Sequence, residues 1–417
     1  MTKQSPAFSP LSAITLASAL LLAGGAHAQS GDRPWYVGLY QDIGYQSNVL
    51  KSSGAEDNDI TSTTALRGGL NLNFGRQRAF ANAALTHTRY NDLKARNNNG
   101  YSLGAGLDWS TIERLSGNVL FSANRGQSDF NPGGIVPVTI SNIERSEDLS
   151  AKVRLGVVTM LGFEATGGYR RVGFSAPEYA SREYTQDRGS FGVTYRPSGI
   201  LSLGTGISGD RTRYGAPAFG QPVADRSERR DLYLSATWVP TGASTFNGRV
   251  AASKIEYNRA SAADFKGLTG YVNWAWKPTG LLSINTTLSR DSGQESGFLR
   301  STPTLRFGAL GFELVDTTAS DFSQITNTLS VNAAYELTGK IMLDAGLAYA
   351  RRNLVDGFTG AEGRDNTTTL SLGGKWAATR TVSAGCRASH GTRSARGAGS
   401  QDYKSDTFSC FGQVTLD

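Results

Sequence analysis

The chain has 417 residues, 39% hydrophobic and only 18% charged, with a formal net charge of +7, 50 glycines, 18 Phe, 16 Tyr and 2 cysteines. It is too aromatic and too weakly charged for a disordered chain, too poor in cysteine for a disulfide scaffold or a multi-zinc protein, and its bases are too scattered for a nucleic-acid surface. Such a length exceeds a typical single core, whereas a closed β-barrel with a polar interior reaches it without one.

The first segment reads as a secretory signal. Lys3 lies in a short leading stretch, Leu11 to Gly25 is apolar and small, and Ala26-His27-Ala28 forms an A-x-A cleavage signal. Cleavage after Ala28 divides the chain into a signal peptide, 1–28, and a single body, 29–417. After the signal no apolar run is long enough for a spanning helix.

The body alternates. Leu149, Ala151, Val153 and Leu155 share one face, and Asp148, Ser150, Lys152 and Arg154 the other. Leu370, Leu372, Gly374 and Trp376 oppose Thr369, Ser371 and Lys375. Successive strand residues point to opposite faces, so each run has one apolar and one polar side. The runs are 35–46, 62–74, 78–91, 100–110, 116–126, 146–158, 161–173, 185–196, 200–213, 229–239, 244–257, 265–277, 280–291, 322–336, 340–353, 365–377, 380–392 and 403–416. They predict an all-β, transmembrane up-and-down antiparallel barrel of about 18 strands, with 16 as the fallback because run boundaries read from sequence err by several residues, and with both termini periplasmic.

A turn recurs between alternate runs: Tyr195-Arg-Pro-Ser-Gly199, Trp238-Val-Pro-Thr-Gly242, Trp276-Lys-Pro-Thr-Gly280, Tyr335-Glu-Leu-Thr-Gly339 and Trp376-Ala-Ala-Thr379. The spacing, roughly 40 residues or a multiple of it, also suits a propeller, but a blade needs four strands per repeat and these repeats hold two. Pro presets the turn and Gly is expected to supply a positive φ. The aromatics Phe74, Trp109, Tyr195, Trp238, Trp276, Tyr335 and Trp376 then form a girdle at the short-turn end. The remaining connections are longer and polar. The longest, 292–321, carries Phe298, Leu299, Phe307 and Phe312 with Arg300 and Arg306, and is expected to fold over the mouth.

The polar face predicts the lumen: Arg67, Asp108, Lys152, Arg154, Glu164, Arg170, Arg196, Asp231, Arg249, Tyr271, Asp344, Lys375 and Arg387, with Tyr36, Tyr40 and Tyr233. Both signs are present, as on a solvated pore wall. No catalytic, cofactor or metal site is expected. Only His87 and His390 lie outside the signal, and Gly204-x-Gly206-x-x-Gly209 sits inside an alternating strand, not at a strand–helix turn. Glu56-Asp57-Asn58-Asp59 reads as a solvated loop sooner than a calcium site. Cys386 and Cys410, symmetric about the last hairpin, are candidates for a disulfide, against which strain between directly opposed strand positions argues.

The first strand, Tyr36 to Gln46, with Ser47-Asn48-Val49-Leu50 after it, resembles the opening of the exopolysaccharide-associated outer-membrane barrels, the EpsL/VpsM-like or type-2 β-barrel porin family. Gln46 stands where that family usually has an acid and Leu50 where it has an aromatic, and the chain ends Val414-Thr-Leu-Asp417 without a terminal aromatic. The resemblance implies residence in the bacterial outer membrane, amid its lipid and lipopolysaccharide. It also implies a part in export or assembly of an exopolysaccharide, with the polymer as cargo and separate periplasmic and inner-membrane proteins as partners. It transfers no catalytic residue. The alternative from the residues themselves is a general diffusion porin for small solutes.

Overall fold

The structure, a computed structural model, describes residues 34–53, 57–111, 114–128, 141–156, 159–176, 183–215, 226–258, 264–292, 323–355, 362–397 and 400–416. The signal segment and all but Ser292 of the 292–321 loop lie outside these residues.

Eighteen strands follow one another. They are β1 (Trp35–Gln46), β2 (Asp59–Phe74), β3 (Gln77–Tyr90), β4 (Asn98–Ser110), β5 (Leu115–Gln127) and β6 (Ile143–Leu155). Next come β7 (Leu161–Phe174), β8 (Tyr184–Tyr195), β9 (Leu201–Tyr214), β10 (Arg226–Thr241), β11 (Ser244–Tyr257) and β12 (Phe265–Trp276). The last are β13 (Leu282–Asp291), β14 (Ser323–Thr338), β15 (Ile341–Val355), β16 (Glu362–Ala377), β17 (Val382–Gly397) and β18 (Tyr403–Leu416). Each pairs antiparallel with its neighbours in sequence, and β1 pairs with both β2 and β18, Val37 meeting Leu416 and Gln46 meeting Thr407. The sheet is therefore a closed up-and-down barrel without a free edge. The start of β1 and the end of β18 lie at the same rim as the short turns.

Burial is inverted relative to a water-soluble protein. Leu39, Leu66, Val153, Leu232, Leu234, Leu268, Leu370 and Leu372 are exposed, whereas Arg67, Arg170, Arg229, Asp231, Arg352 and Asp365 are buried. The apolar side chains cover the outside of the ring and the polar ones converge inside. Near the short turns, Phe74, Tyr195, Trp238, Tyr335 and Trp376 point outward as the sequence predicts, joined by Trp35. Trp238, Phe246, Trp274 and Trp276 form a continuous stack, with successive ring centroids 5.5, 5.6 and 5.1 Å apart.

The recurring turn works differently from the expectation. Gly199, Gly242, Gly280 and Gly339 do not adopt a positive φ, whereas Gly75, in the β2–β3 turn, does, at 61°. In three of the five turns the device is a threonine. Thr279 Oγ1 accepts the N–H groups of Leu281 and Leu282, Thr338 Oγ1 those of Lys340 and Ile341, and Thr379 Oγ1 those of Thr381 and Val382. A hydroxyl that takes backbone donors at the bend fixes where the return strand starts. Strand boundaries also shift, as at β6. β6 runs Ile143–Leu155, not 146–158, because Gly156, at φ 78°, leaves the ladder and donates its N–H to Arg114 O.

Candidate functional site

The candidate site is the inner wall. Side-chain parity places Arg67 on β2, Asp108 on β4, Lys152 and Arg154 on β6, Glu164 and Arg170 on β7, Asp231 on β10, Arg249 on β11, Tyr271 on β12, Asp344 on β15, Lys375 on β16 and Arg387 on β17 along this wall, opposite in phase to the exposed apolar residues of the same strands. Arg196 keeps the same inward phase at the short-turn rim, just past the end of β8, where its Nη1 lies against Gly162 of β7 and donates to Gly156 O at 3.1 Å and Thr159 O at 3.2 Å.

The inner charges are grouped, and the groups reach over intervening strands. Arg229 on β10 donates from Nε to Asp231 (2.9 Å), from Nη1 to Asp291 on β13 (2.8 Å) and Ser292 O (3.2 Å), and from Nη2 to Thr269 on β12 (3.2 Å) and Ser253 on β11 (3.4 Å). Near the same rim Arg352 holds Asp365 bidentately at 2.8 and 2.5 Å, and Ser400 donates to that carboxylate at 2.6 Å. Toward the short turns Glu164 accepts from Arg154 at 2.7 Å with Lys152 at 3.4 Å. Between these levels Arg188 grips Asp148 across β7, with Arg170 at 3.8 Å, and Arg387 donates to Asp344 across β16 at 2.8 Å. Bridging over a strand is natural on a concave wall, where side chains converge.

Aromatic rings seat the other guanidinium groups. Arg249 lies 3.7 Å from the Tyr233 ring centroid and donates to Ser208 Oγ at 2.7 Å. Tyr233 in turn lies over Gly192 and Gly206, where an added Cβ would stand 2.3 and 2.5 Å from its hydroxyl. The sequence pattern Gly204-x-Gly206-x-x-Gly209 is thus strand β9, and Gly206 serves the close approach of a ring. Arg67 lies 4.0 Å from the Tyr40 ring, which stacks on Phe411 at 5.4 Å. Lys375, opposite Met342 and Gly385, meets no carboxylate among the described residues.

Sequence reasoning did not single out Arg229, Asp291, Arg188, Arg352, Asp365 or Arg393 as lumen residues. Parity could have found them, since Arg229 is in phase with Asp231, and Arg352 with Asp344. The acidic first loop is also resolved in part. Asp59 is buried, its Oδ1 accepting the N–H groups of Ile60, Asn91 and Asp92 and its Oδ2 that of Leu93, so its oxygens organise two loops and are not free for a cation. Glu56 lies outside the described residues. Asn48, Val49 and Leu50, on which the family resemblance leans, are buried as well. Asn48 exchanges hydrogen bonds with Ser52, and Val49 donates to Asp57 O.

Cys386 on β17 and Cys410 on β18 are directly opposed, Cα atoms 4.0 Å apart, and are joined by a disulfide. They share the outward phase of Val382, Phe408 and Val414.

No family model matches the chain, nor does any curated protein. Among solved structures the fold is similar to the outer membrane protein OpdK from Pseudomonas aeruginosa, at 14% identity and TM-score 0.47 over 92% of this chain and 99% of that one. It is similar also to OccK2 (OpdF) from the same organism, at 11% identity and TM-score 0.49 over 92% and 98% of the two chains. The siderophore receptor PirA, again from P. aeruginosa, is 10% identical at TM-score 0.42 over 93% of this chain and 81% of its own. Likeness at this level says nothing of substrate, and the barrel stands on its own strand pairings.

Proposed function

We propose that the chain is an outer-membrane channel through which small polar solutes diffuse. The observation that carries this is the inverted burial: an apolar outside suited to lipid, around an inner wall of hydroxyls, amides and charges of both signs. The grouped charges of this interior are held in pairs and aromatic seats, so those groups need no bound cargo to be satisfied. About 18 strands leave room for an aqueous path.

The competing reading is export of an exopolysaccharide, favoured by the resemblance of the first strand and the stretch after it. Two observations weigh against it. Three of the residues in the resembling stretch Tyr36 to Leu50, namely Asn48, Val49 and Leu50, have a local task in closing the β1–β2 loop. Four of the inner aromatics also offer little face to a sugar: Tyr40, Phe411, Tyr184 and Tyr214 are 1%, 6%, 7% and 8% exposed.

The test is reconstitution. In planar bilayers the purified protein is expected to give stepwise conductance, and in liposomes to admit neutral sugars at rates that fall steeply with size. Absence of both would remove the proposal. A gene deletion that strips polymer from the cell surface while small-solute uptake stays normal would move the assignment to export.

A further inference from the structure

The outer face changes character over four neighbouring strands. On β10 to β13 the outward positions from the short-turn end are apolar or small up to Leu232, Ala252, Leu268 and Leu288, and the next outward position toward the long loops is basic on every one of these strands: Arg230, Lys254, Lys266 and Arg290. Arg230 is directly opposite Lys254, and Lys254 directly opposite Lys266. Arg290 is opposite Gly270, nearer the short turns than Lys266, and its Nε donates to Leu268 O at 3.1 Å, which carries its guanidinium toward the other three. All four side chains are exposed.

Like charges directly opposed across strands destabilise a sheet, so this row runs against the economy of the fold unless an anion occupies it. The nearby acids offset it in part. Glu228 bonds Arg230 at 3.3 Å and also serves Arg211 and Arg226, and Glu256 bonds Lys254 at 2.7 Å. Asp264 accepts the N–H of Tyr257. Among the described residues Lys266 and Arg290 meet no carboxylate. Directly below the bases, Leu232 and Leu268, both 62% exposed, flank Ala252, which leaves a shallow apolar trough between them.

Taken with the outer-membrane placement proposed above, on which it rests, we infer that this patch is a binding site for the phosphorylated headgroup of an outer-leaflet glycolipid, lipopolysaccharide, with an acyl chain laid in the trough over Ala252. Charge and shape fit one ligand: phosphates at the height of Arg230, Lys254, Lys266 and Arg290, and hydrocarbon immediately beneath them. The row stands at the long-loop side of the apolar belt, the side that faces the outer leaflet when the short turns are periplasmic.

The probe is diphosphoryl lipid A, compared with its dephosphorylated form, on full-length protein in detergent by native mass spectrometry. The wild type is expected to prefer the phosphorylated form by roughly tenfold or more, and the R230Q/K254Q/K266Q/R290Q variant to lose that preference. Equal binding of the two lipids by the wild type, or an unchanged preference in the variant, overturns the site. Should the variant fail to fold, the wild-type comparison of the two lipids decides alone. The lipid readout needs no conductance, so a barrel that prefers phosphorylated lipid A but does not conduct would defeat the channel proposal and leave this one standing. A barrel that conducts without the preference would do the reverse.

Discussion

Arg229 draws Asp231 and Asp291 together, and the three are only 5%, 7% and 3% exposed. Truncating it leaves two buried carboxylates without their cation, which is far worse than never having placed charge there. Arg229→Ala is therefore expected to cost about 3 kcal/mol or more, read as a lower temperature at which the folded band is lost on unheated gels. Gly206 poses a steric problem instead. An added Cβ would stand 2.3 Å from Phe191 O as well as against Tyr233, so Gly206→Val should cost about 1–3 kcal/mol and unseat the Arg249–Tyr233 contact. Ordinary stability after that change would argue against the packing described.

At the scale of one strand, phase decides what a substitution does. Leu370 points outward at mid-belt and Thr369 inward, opposite Ala348 and Gly391. Leu370→Arg should cost roughly 2–4 kcal/mol when the barrel folds into lipid, whereas Thr369→Arg should fold normally and reduce conductance. The opposite pairing of outcomes would reverse the assigned faces. The turn threonines give a smaller effect: Thr279→Val, Thr338→Val and Thr379→Val should each lose about 1 kcal/mol. Strand number and phase were legible in the sequence because each strand has one apolar side, and a period of two repeated along the chain is hard to mistake. Boundaries were less legible where both sides turn polar. At Arg226-Ser227-Glu228-Arg229 alternation disappears while the pairing with β9 and β11 continues, so β10 begins at Arg226 and not at 229. β16 likewise starts at Glu362 and β17 continues to Gly397. Arg393 accordingly fell outside its run of 380–392, while Arg229 and Asp365 stood at the first positions of theirs, where the alternation has only begun. The turn chemistry was hidden for another reason, since Thr, Pro and Gly recur together and only geometry tells which of them bends the chain.

For the barrel as a whole, opposite charges answer one another around the inner wall, and such a wall should discriminate poorly between small ions. Under a KCl gradient the reversal potential is expected near zero. Lys375→Glu should shift it toward cation selectivity, and no shift would place Lys375 away from the ion path. The seam between β1 and β18 has a consequence in time. Val37 waits for Leu416, so nearly every other strand must be made before the first one gains its second partner. Contacts so distant in sequence form slowly, and until they do the partial sheet carries two open edges ready to pair with any neighbouring chain. A chain of this topology therefore cannot complete itself strand by strand as it is synthesised. It has to be escorted as an open sheet and finished at its destination, and a truncation that removes only β18 should yield aggregates in place of a slightly smaller barrel.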